Sequence, residues 1–578
     1  MKITKFTRAA LLLLVLMIGT AGCDSGNTPT SQSTDSGSGS LSVSASEDDA
    51  WQQAKTTPYG KYPELITYTS SSMEGKYDTL AGTKYASDSN EDNVRTRYTK
   101  EMLNVQNENA WEASSDDDYN RKVSLAIASG TIPDIMVVND YATLLQLYDN
   151  GLIQDLSEVY KNCTDDRIKE IYDSYDGRAL TRATIDGKLM ALPQVNIATG
   201  PELLWLRQDW LDKLNLEGPK TMADVENILK EFIEKDPGGN GPGKTAGLVV
   251  DTSFVGSFSS LYKLNMIFTS YKAYPQQWMS NDKGEIYYGS VQPEAKAALG
   301  KLAEWFQAGL IDQQMAVRTA DDRTALISSN QCGAFFGAWW GGQSGKDAYE
   351  LYDAQWQPYL VPQDESGEVT LFTGDPCNKY RVVSKDFAYP EIAAKTLNID
   401  MSYTRYDDKS NVYSEYQDIG NPTVGITVPA YINVDYYDAI YRSYDHIQAA
   451  MAGNSPQDII SWEQTMADSI KTDYYDVIKA GQKPTWDVYN NYLKRVVSLK
   501  LLSDNKENIK EVNPVFFGQT QSMKLKWTSL LKMENETYLK ILTGEAPLDS
   551  FDEFVTEWMN AGGKDIINEV TDAVKNAN

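Results

Sequence analysis

Between residues 61 and 140 the chain alternates the period of a strand with the period of a helix, and this alternation limits the fold more than any other feature. Tyr62-Pro-Glu-Leu-Ile-Thr-Tyr-Thr69 reads as a strand. Asn90 to Leu103 reads as a helix, because Val94, Tyr98 and Met102 recur every fourth residue. Val105 to Trp111 is a weaker strand. Asp116 to Ser129 is a helix with Tyr119, Val123, Leu125 and Ile127 on its apolar side, ended by Gly130. Ile132 to Val138 is a buried strand, and Asn139-Asp140 caps the next helix. Strands joined through helices pair in parallel and bind ligands outside their carboxyl ends, where Asp140 sits.

The pattern continues in Pro201 to Arg207 as a strand and Gln208 to Leu214 as a helix. Thr221-Met-Ala-Asp224 opens a further helix with capping-box spacing. Pro293 to Ala308 reads as a helix, and Cys332 to Ala338 as a short buried strand running into Trp339-Trp340-Gly341-Gly342. The C-terminal third reads as mainly helical, and the expected class is α/β. At 578 residues the chain exceeds one ordinary core, so two or more lobes are expected.

Composition removes several functions. His446 is the only histidine, which excludes a His-rich metal site and any mechanism with two imidazoles. It has no GxSxG elbow to serve. With 53 Lys+Arg against 81 Asp+Glu the net charge is −28, which opposes nucleic-acid binding.

Lys2, Lys5 and Arg8 precede an apolar run from Ala9 to Ile18, too short for a permanent membrane span. Gly19-Thr20-Ala21-Gly22-Cys23 then resembles a bacterial lipobox, with Thr20 where leucine is usual. An ordinary secretory signal is the other reading. On the lipobox reading residues 1–22 are removed with three positive charges, leaving −31, and Cys23 carries a diacyl anchor. Residues 24–50 contain 15 Ser, Thr or Gly and read as a flexible tether with a reach of about 30 Å. Cys163, Cys332 and Cys377 are an odd number, widely spaced, and form no disulfide framework; they read as structural thiols, with one bridge and a free thiol as the other reading.

Several segments then carry a family resemblance by their order and spacing: Gly130-Thr-Ile-Pro-Asp-Ile-Met136, Glu202 to Leu214, Pro293 through Asp312, the Gly-Ala-Trp-Trp-Gly run, and Met523-Lys-Leu-Lys-Trp527 with Glu534 to Lys540. Together they resemble the extracellular solute-binding proteins of family 1, in the branch of large Gram-positive lipoproteins that serve oligosaccharide ABC importers. The resemblance covers residues 60–578 and implies a two-lobed fold of the periplasmic-binding-protein type II, closing on a sugar, with no catalysis and no cofactor. It places 61–200 and about 315–375 in one lobe and 201–314 and about 376–578 in the other, with crossing strands near 200 and 335. The implied partners are an oligosaccharide, the permease subunits of an importer and the outer face of the cell membrane through Cys23, with the chain a monomer.

A sugar receptor needs flat aromatic surfaces and planar polar groups. Trp339 and Trp340 point to opposite faces of an extended segment, so one of them is expected to meet ligand. Trp205 and Arg207 share a strand face; they suit a sugar or a uronate, or equally a cation–π pair that supports the hinge. Asp140 and Asp375 either accept vicinal hydroxyls or cap a helix and a turn. Asn93, at a helix start, is a further candidate, with a solvated helix face as its other reading. The loop Asp236 to Lys244 resembles a calcium loop and keeps Asp236, Asn240 and Gly241. Gly238 and Lys244 stand where oxygen ligands are needed, so it reads as an empty turn and no metal is expected. A ligand-binding partner of a membrane sensor and a secreted glycoside-active enzyme are the alternatives to the importer reading.

Overall fold

The computed structural model describes residues 47–75, 85–196, 200–258, 260–361, 367–401, 406 and 429–577. Cys23, the leader and the tether through residue 46 lie outside them. Among the described residues no helix is long and apolar enough to cross a membrane. The strands that carry the architecture run, in chain order, β1 Ile66–Met73, β2 Val105–Ala113, β3 Ile135–Val138, β4 Leu192–Val195, β5 Leu203–Arg207, β6 Ala334–Gly337, β7 Trp356–Tyr359, β8 Val369–Phe372, β9 Cys377–Val383 and β10 Ile509–Val512.

The first lobe is a five-stranded sheet in the order β2-β1-β3-β9-β4. β1 is parallel to β2 and β3, as the alternation requires, while β9 runs antiparallel to both β3 and β4. Helix α1, Glu47–Thr56, occupies the end of the expected tether. Trp51 and Ala54 lie three apart on one face and pack into the first core, Trp51 against Tyr62 and Tyr389. The ordered lobe therefore starts earlier than the Ser-rich composition suggests. Helices α2 Val94–Leu103, α3 Asp116–Ser129 and α4 Tyr141–Asp149 connect the strands. Ser115 caps α3 at its start, and Gly130 ends it at φ 71°, a left-handed position that suits glycine. Helices α5 Asp166–Asp173 and α6 Arg178–Ala183 follow.

The second lobe is built around β5, with β6 and β7 antiparallel on either side. Alternate side chains of β5 enter different cores: Leu204 and Leu206 one, Leu203 and Trp205 another. Helices α7 Gln208–Leu214, α8 Met222–Lys235 and α9 Pro293–Gln307 cover it. Beyond residue 438 the chain is mainly helical, including α10 Ala439–Met451, α11 Ser461–Ser469 and α12 Gln521–Thr543. The parallel arrangement implied by strand–helix alternation thus holds for β1, β2 and β3 but not for this sheet.

Among the described residues the chain passes between the first core and those of the second lobe three times, after Val195, after Phe372 and after Val434. The strand near 335, expected to cross, is β6, which pairs with β5 at one edge of the second lobe's sheet. Residues 377–401 and 430–434 join the first core, and most of the described part of 315–372 joins the cores of the second lobe, the reverse of the expected division. The physical reason is register: β9 finds partners in β3 and β4, and a buried strand's hydrophobicity does not say which sheet it enters.

Candidate functional site between the lobes

Two cavities open where the lobes meet. The larger, about 590 Å³, falls within the usual range of ligand pockets. Gln194 and Asn433 line it from the first lobe, Phe258 and Phe372 from the second, and Asn196 and Asp375 from crossing segments. Tyr437 stands at its wall and links both sides. Its hydroxyl donates to the Glu511 carboxylate on β10 at 2.5 Å. Its ring meets Tyr175 edge-on at 5.3 Å, and the Arg178 guanidinium of α6 lies 5.3 Å from its centroid. Burial, then the bond to Glu511, push the Tyr437 phenol above its ordinary pKa, so it donates at neutral pH. Arg178 also donates to Asn513 of the second lobe at 3.2 Å.

The smaller cavity, about 340 Å³, is lined by Arg167, Tyr436, Ser443, Trp462, Arg495 and Trp339, among others. One guanidinium serves two indoles there: Arg495 lies 4.8 Å from the Trp339 ring and 4.8 Å from the Trp462 ring. Arg442 lies 4.1 Å from Tyr436, and Arg167 lies 4.9 Å from Tyr406. His446 places Nδ1 2.7 Å from Glu463. Asn433 and Tyr437 line the larger cavity and Asp435 and Tyr436 the smaller, so one crossing segment serves both.

The residues expected to hold ligand divide. Trp339 lines the smaller cavity and Asp375 the larger. Trp340 is half-buried against the core that holds Trp339. Trp205 is a core residue with 0 % exposure; its Nε1 donates to the Ala338 carbonyl at 3.1 Å. Gly341 and Gly342 press on its ring so closely that a Cβ at either would come within 2.7 Å, which explains the glycine pair after Trp340. Arg207 is 1 % exposed, held by Asp209 at 2.8 and 2.6 Å, bonded to Asn330 and stacked over Trp210. Its donors and its face are already engaged inside the fold.

Asn93 is fully buried as the N-cap of α2, accepting from Arg95 and Thr96 backbone N–H groups at 3.0 and 3.2 Å. Asp140 caps α4, accepting from Thr143 N–H and hydroxyl at 2.8 Å each. Asp375 caps a turn through Cys377 N–H at 3.0 Å and holds Arg182. In the glycine-rich loop the Asp236 carboxylate accepts from Asn240, Gly241 and Thr245, so loop donors occupy its oxygens. Cys163, Cys332 and Cys377 are buried free thiols. Tyr437, Arg178, Ser443 and Arg495 escaped the sequence reading. The run Tyr431-Ile-Asn-Val-Asp-Tyr-Tyr437, rich in polar and aromatic residues, was the signal available for the first of them.

Comparison with known proteins fits this geometry. The chain is 23% identical over 471 residues to the polygalacturonan/rhamnogalacturonan-binding protein YtcQ of Bacillus subtilis, covering 79% of this chain and 83% of that one. Its fold matches an HMO-binding, ABC-transporter-associated solute-binding protein of Bifidobacterium longum infantis, with a TM-score of 0.58, 16% identity, and 88% and 98% of the two chains covered. It also matches the Streptococcus pneumoniae ABC-transporter substrate-binding protein FusA in complex with kestose, with a TM-score of 0.55, 15% identity, and 88% and 99% covered. Residues 94–397 match the family model for bacterial extracellular solute-binding proteins, and the chain belongs to that family.

Proposed function

We propose that this protein captures an oligosaccharide between its two lobes and delivers it to an ABC importer, tethered to the outer face of the membrane by lipid on Cys23. The observation that carries the reading is the larger cavity at the crossings, where amide side chains from the first lobe and the crossing segments face aromatic rings from the second. Amides match hydroxyls and rings match C–H faces, which is the chemistry of a sugar. The relatives support the same class: one is named for binding polygalacturonan and rhamnogalacturonan, and another was solved with kestose. The family is one of binding proteins, and the reading accordingly includes no turnover. The lipobox-like run before Cys23 supports the anchor.

The test is calorimetry and intrinsic tryptophan fluorescence against neutral and acidic oligosaccharides, with product analysis of the same mixtures. Saturable binding without products is the expected result. Release of shorter sugars, or no saturable binding across the panel, would sink the reading. For the anchor, a clickable palmitate analogue should label the wild type and not Cys23→Ala.

A further inference from the structure

We propose that Glu202 is a positioning residue for ligand: acting through Asn265, it holds the segment that presents Ser257 and Phe258 to the larger cavity, and it does so in its neutral form. The proposal rests on the oligosaccharide reading above. Glu202 is fully buried, immediately precedes β5 and stands two residues after Gly200, which lines the cavity. Its carboxyl accepts from Nδ2 of Asn265, at the start of the short helix Asn265–Ser270, at 3.0 Å. The other end of the same amide faces the backbone of the segment: Asn265 Oδ1 accepts from Gly256 N–H at 3.2 Å. Ser257 and Phe258 follow Gly256 directly and line the larger cavity. Phe258 is set there against Phe372, edge-on at 4.8 Å. Glu202 thus reaches the cavity wall through two hydrogen bonds without lining the cavity itself. A side-chain amide has one donor end and one acceptor end, so an acceptor at Glu202 sets which way round Asn265 stands and whether Oδ1 meets Gly256.

A second tie on the same segment makes the neutral form matter. Lys263 Nζ donates to the Ser253 carbonyl at 2.6 Å and to its hydroxyl at 2.7 Å. The lysine stem lies against Gly256, where an added Cβ would come within 3.3 Å of Lys263 Cε. Among the described residues Lys263 is the charged group that faces Glu202. Behind it stand Asp251, 3.7 Å from the ammonium, and Arg323, which donates to Asp251 at 3.0 Å. Burial pushes the Glu202 carboxyl up to about 8, so at neutral pH it is uncharged and leaves Lys263 to Ser253 and Asp251. Once ionised, Glu202 competes for that ammonium inside a low-dielectric site, and the tie to Ser253 loosens. The ties through Asn265 and through Lys263 meet at Gly256, so the segment follows the protonation of Glu202. Ligand affinity should therefore fall as pH rises through about 8.

Calorimetry on the full chain with fructo- and xylo-oligosaccharides and oligogalacturonate tests this, beside amide hydrogen exchange of the free protein. Glu202→Leu removes the acceptor. Exchange at residues 253–258 should quicken while the first lobe keeps its rate, and bound saccharide should weaken about three- to tenfold, the range for one hydrogen bond. Glu202→Gln keeps a carbonyl for Asn265 and cannot ionise. It should match the wild type at neutral pH in both measurements and hold its affinity between roughly pH 7 and 9, where the wild type declines. This second comparison stands even if Glu202→Leu fails to fold. Wild-type affinity and unchanged exchange at 253–258 in Glu202→Leu, or an equal loss of affinity in Glu202→Gln, overturns the relay and leaves the carbohydrate reading standing. Parallel pH profiles of affinity for the wild type and Glu202→Gln overturn the role of the neutral form. A wild type that binds none of these saccharides overturns the oligosaccharide reading and this proposal with it.

Discussion

Asp375 and Arg182 form a two-pronged ion pair across the second crossing, with Arg182 Nε at 3.1 Å and Nη2 at 2.8 Å from Asp375 Oδ2. Arg182 sits on α6 in the first lobe and also donates to the Phe517 carbonyl at 2.5 Å, beyond β10 of the second. Its ring-stacking partner is Tyr141, 3.8 Å from the guanidinium. Burial opposes the charge on Arg182, but Asp375 more than restores it, and its pKa ends above the ordinary range. Asp375 thus fastens the base of the cleft. Asp375→Asn should lower stability by about 2 kcal/mol, the scale of a hydrogen bond to a charged group. Urea denaturation reads this directly. Unchanged stability with a large loss of sugar affinity would return Asp375 to the role of ligand carboxylate.

Arg207 leads to a second stability prediction. Its guanidinium is 1 % exposed and lies over Trp210 and Trp356 while gripping Asp209 with two prongs. Removing one partner of a buried pair strands the other, so Arg207→Ala should cost about 3–5 kcal/mol. Arg207→Lys should recover little, because an ammonium cannot reproduce a planar fork that is also stacked. Thermal unfolding of both variants checks the order. A lysine variant as stable as the wild type would show that only the charge matters.

These two residues also mark how far the sequence could be read. Period and capping signals are local, and they placed α3 at 116–129 and α7 at 208–214 with the bounds the structure shows. The spacing that put Trp205 and Arg207 on one face of β5 was also right. Which way that face looks depends on β6, β7 and the helices from residue 439 onward, which contribute to the core on that side. Sidedness of this kind comes from contacts more than 100 residues apart in sequence, such as the bond from Trp205 to Ala338. Trp339, singled out from its place in the sequence, lines a cavity, while Tyr437 lines the other from a crossing that no local pattern announces.

Glu202 makes stability depend on pH. It is fully buried just before β5 and accepts from Asn265 Nδ2 at 3.0 Å. Burial pushes its carboxyl up to about 8, with Asn265 and Lys263 opposing only in part. The unfolded chain releases this proton near the ordinary glutamate pKa of about 4.3. Between roughly pH 4.5 and 8 the folded state therefore holds one more proton, and stability falls as pH rises, by about 1.4 kcal/mol per unit at most. Glu534, pushed up to about 7 by burial, and Asp400, pushed up to about 6, act in the same direction over narrower windows. Glu202→Gln mimics the protonated acid. It should flatten the decline between pH 5 and 8 and be more stable than the wild type at pH 8. Denaturation midpoints measured at several pH values decide it, and parallel curves for the two proteins would rule Glu202 out as the cause.

The three crossings bear on motion. Tyr437 lies on the third and ties α6, through Arg178, to β10, through Glu511, so both lobes meet at one side chain beside the larger cavity. Few other polar contacts of this cavity's wall join the lobes so directly; the Arg178 bond to Asn513 is one. A hinge of a few segments with a cavity at its base permits rigid-body closure, and a ligand that touches both lobes favours the closed form by its added contacts there. Saturating oligosaccharide should therefore reduce the radius of gyration measured by small-angle scattering. Tyr437→Phe keeps the stack on Tyr175 and Arg178 but removes the donor to Glu511, so the variant should close on ligand with lower affinity and little change in Tm, because Glu511 is exposed. An unchanged radius of gyration at full saturation would show that this protein binds without closing, and would reassign the Tyr437 bond to the structure of a fixed cleft.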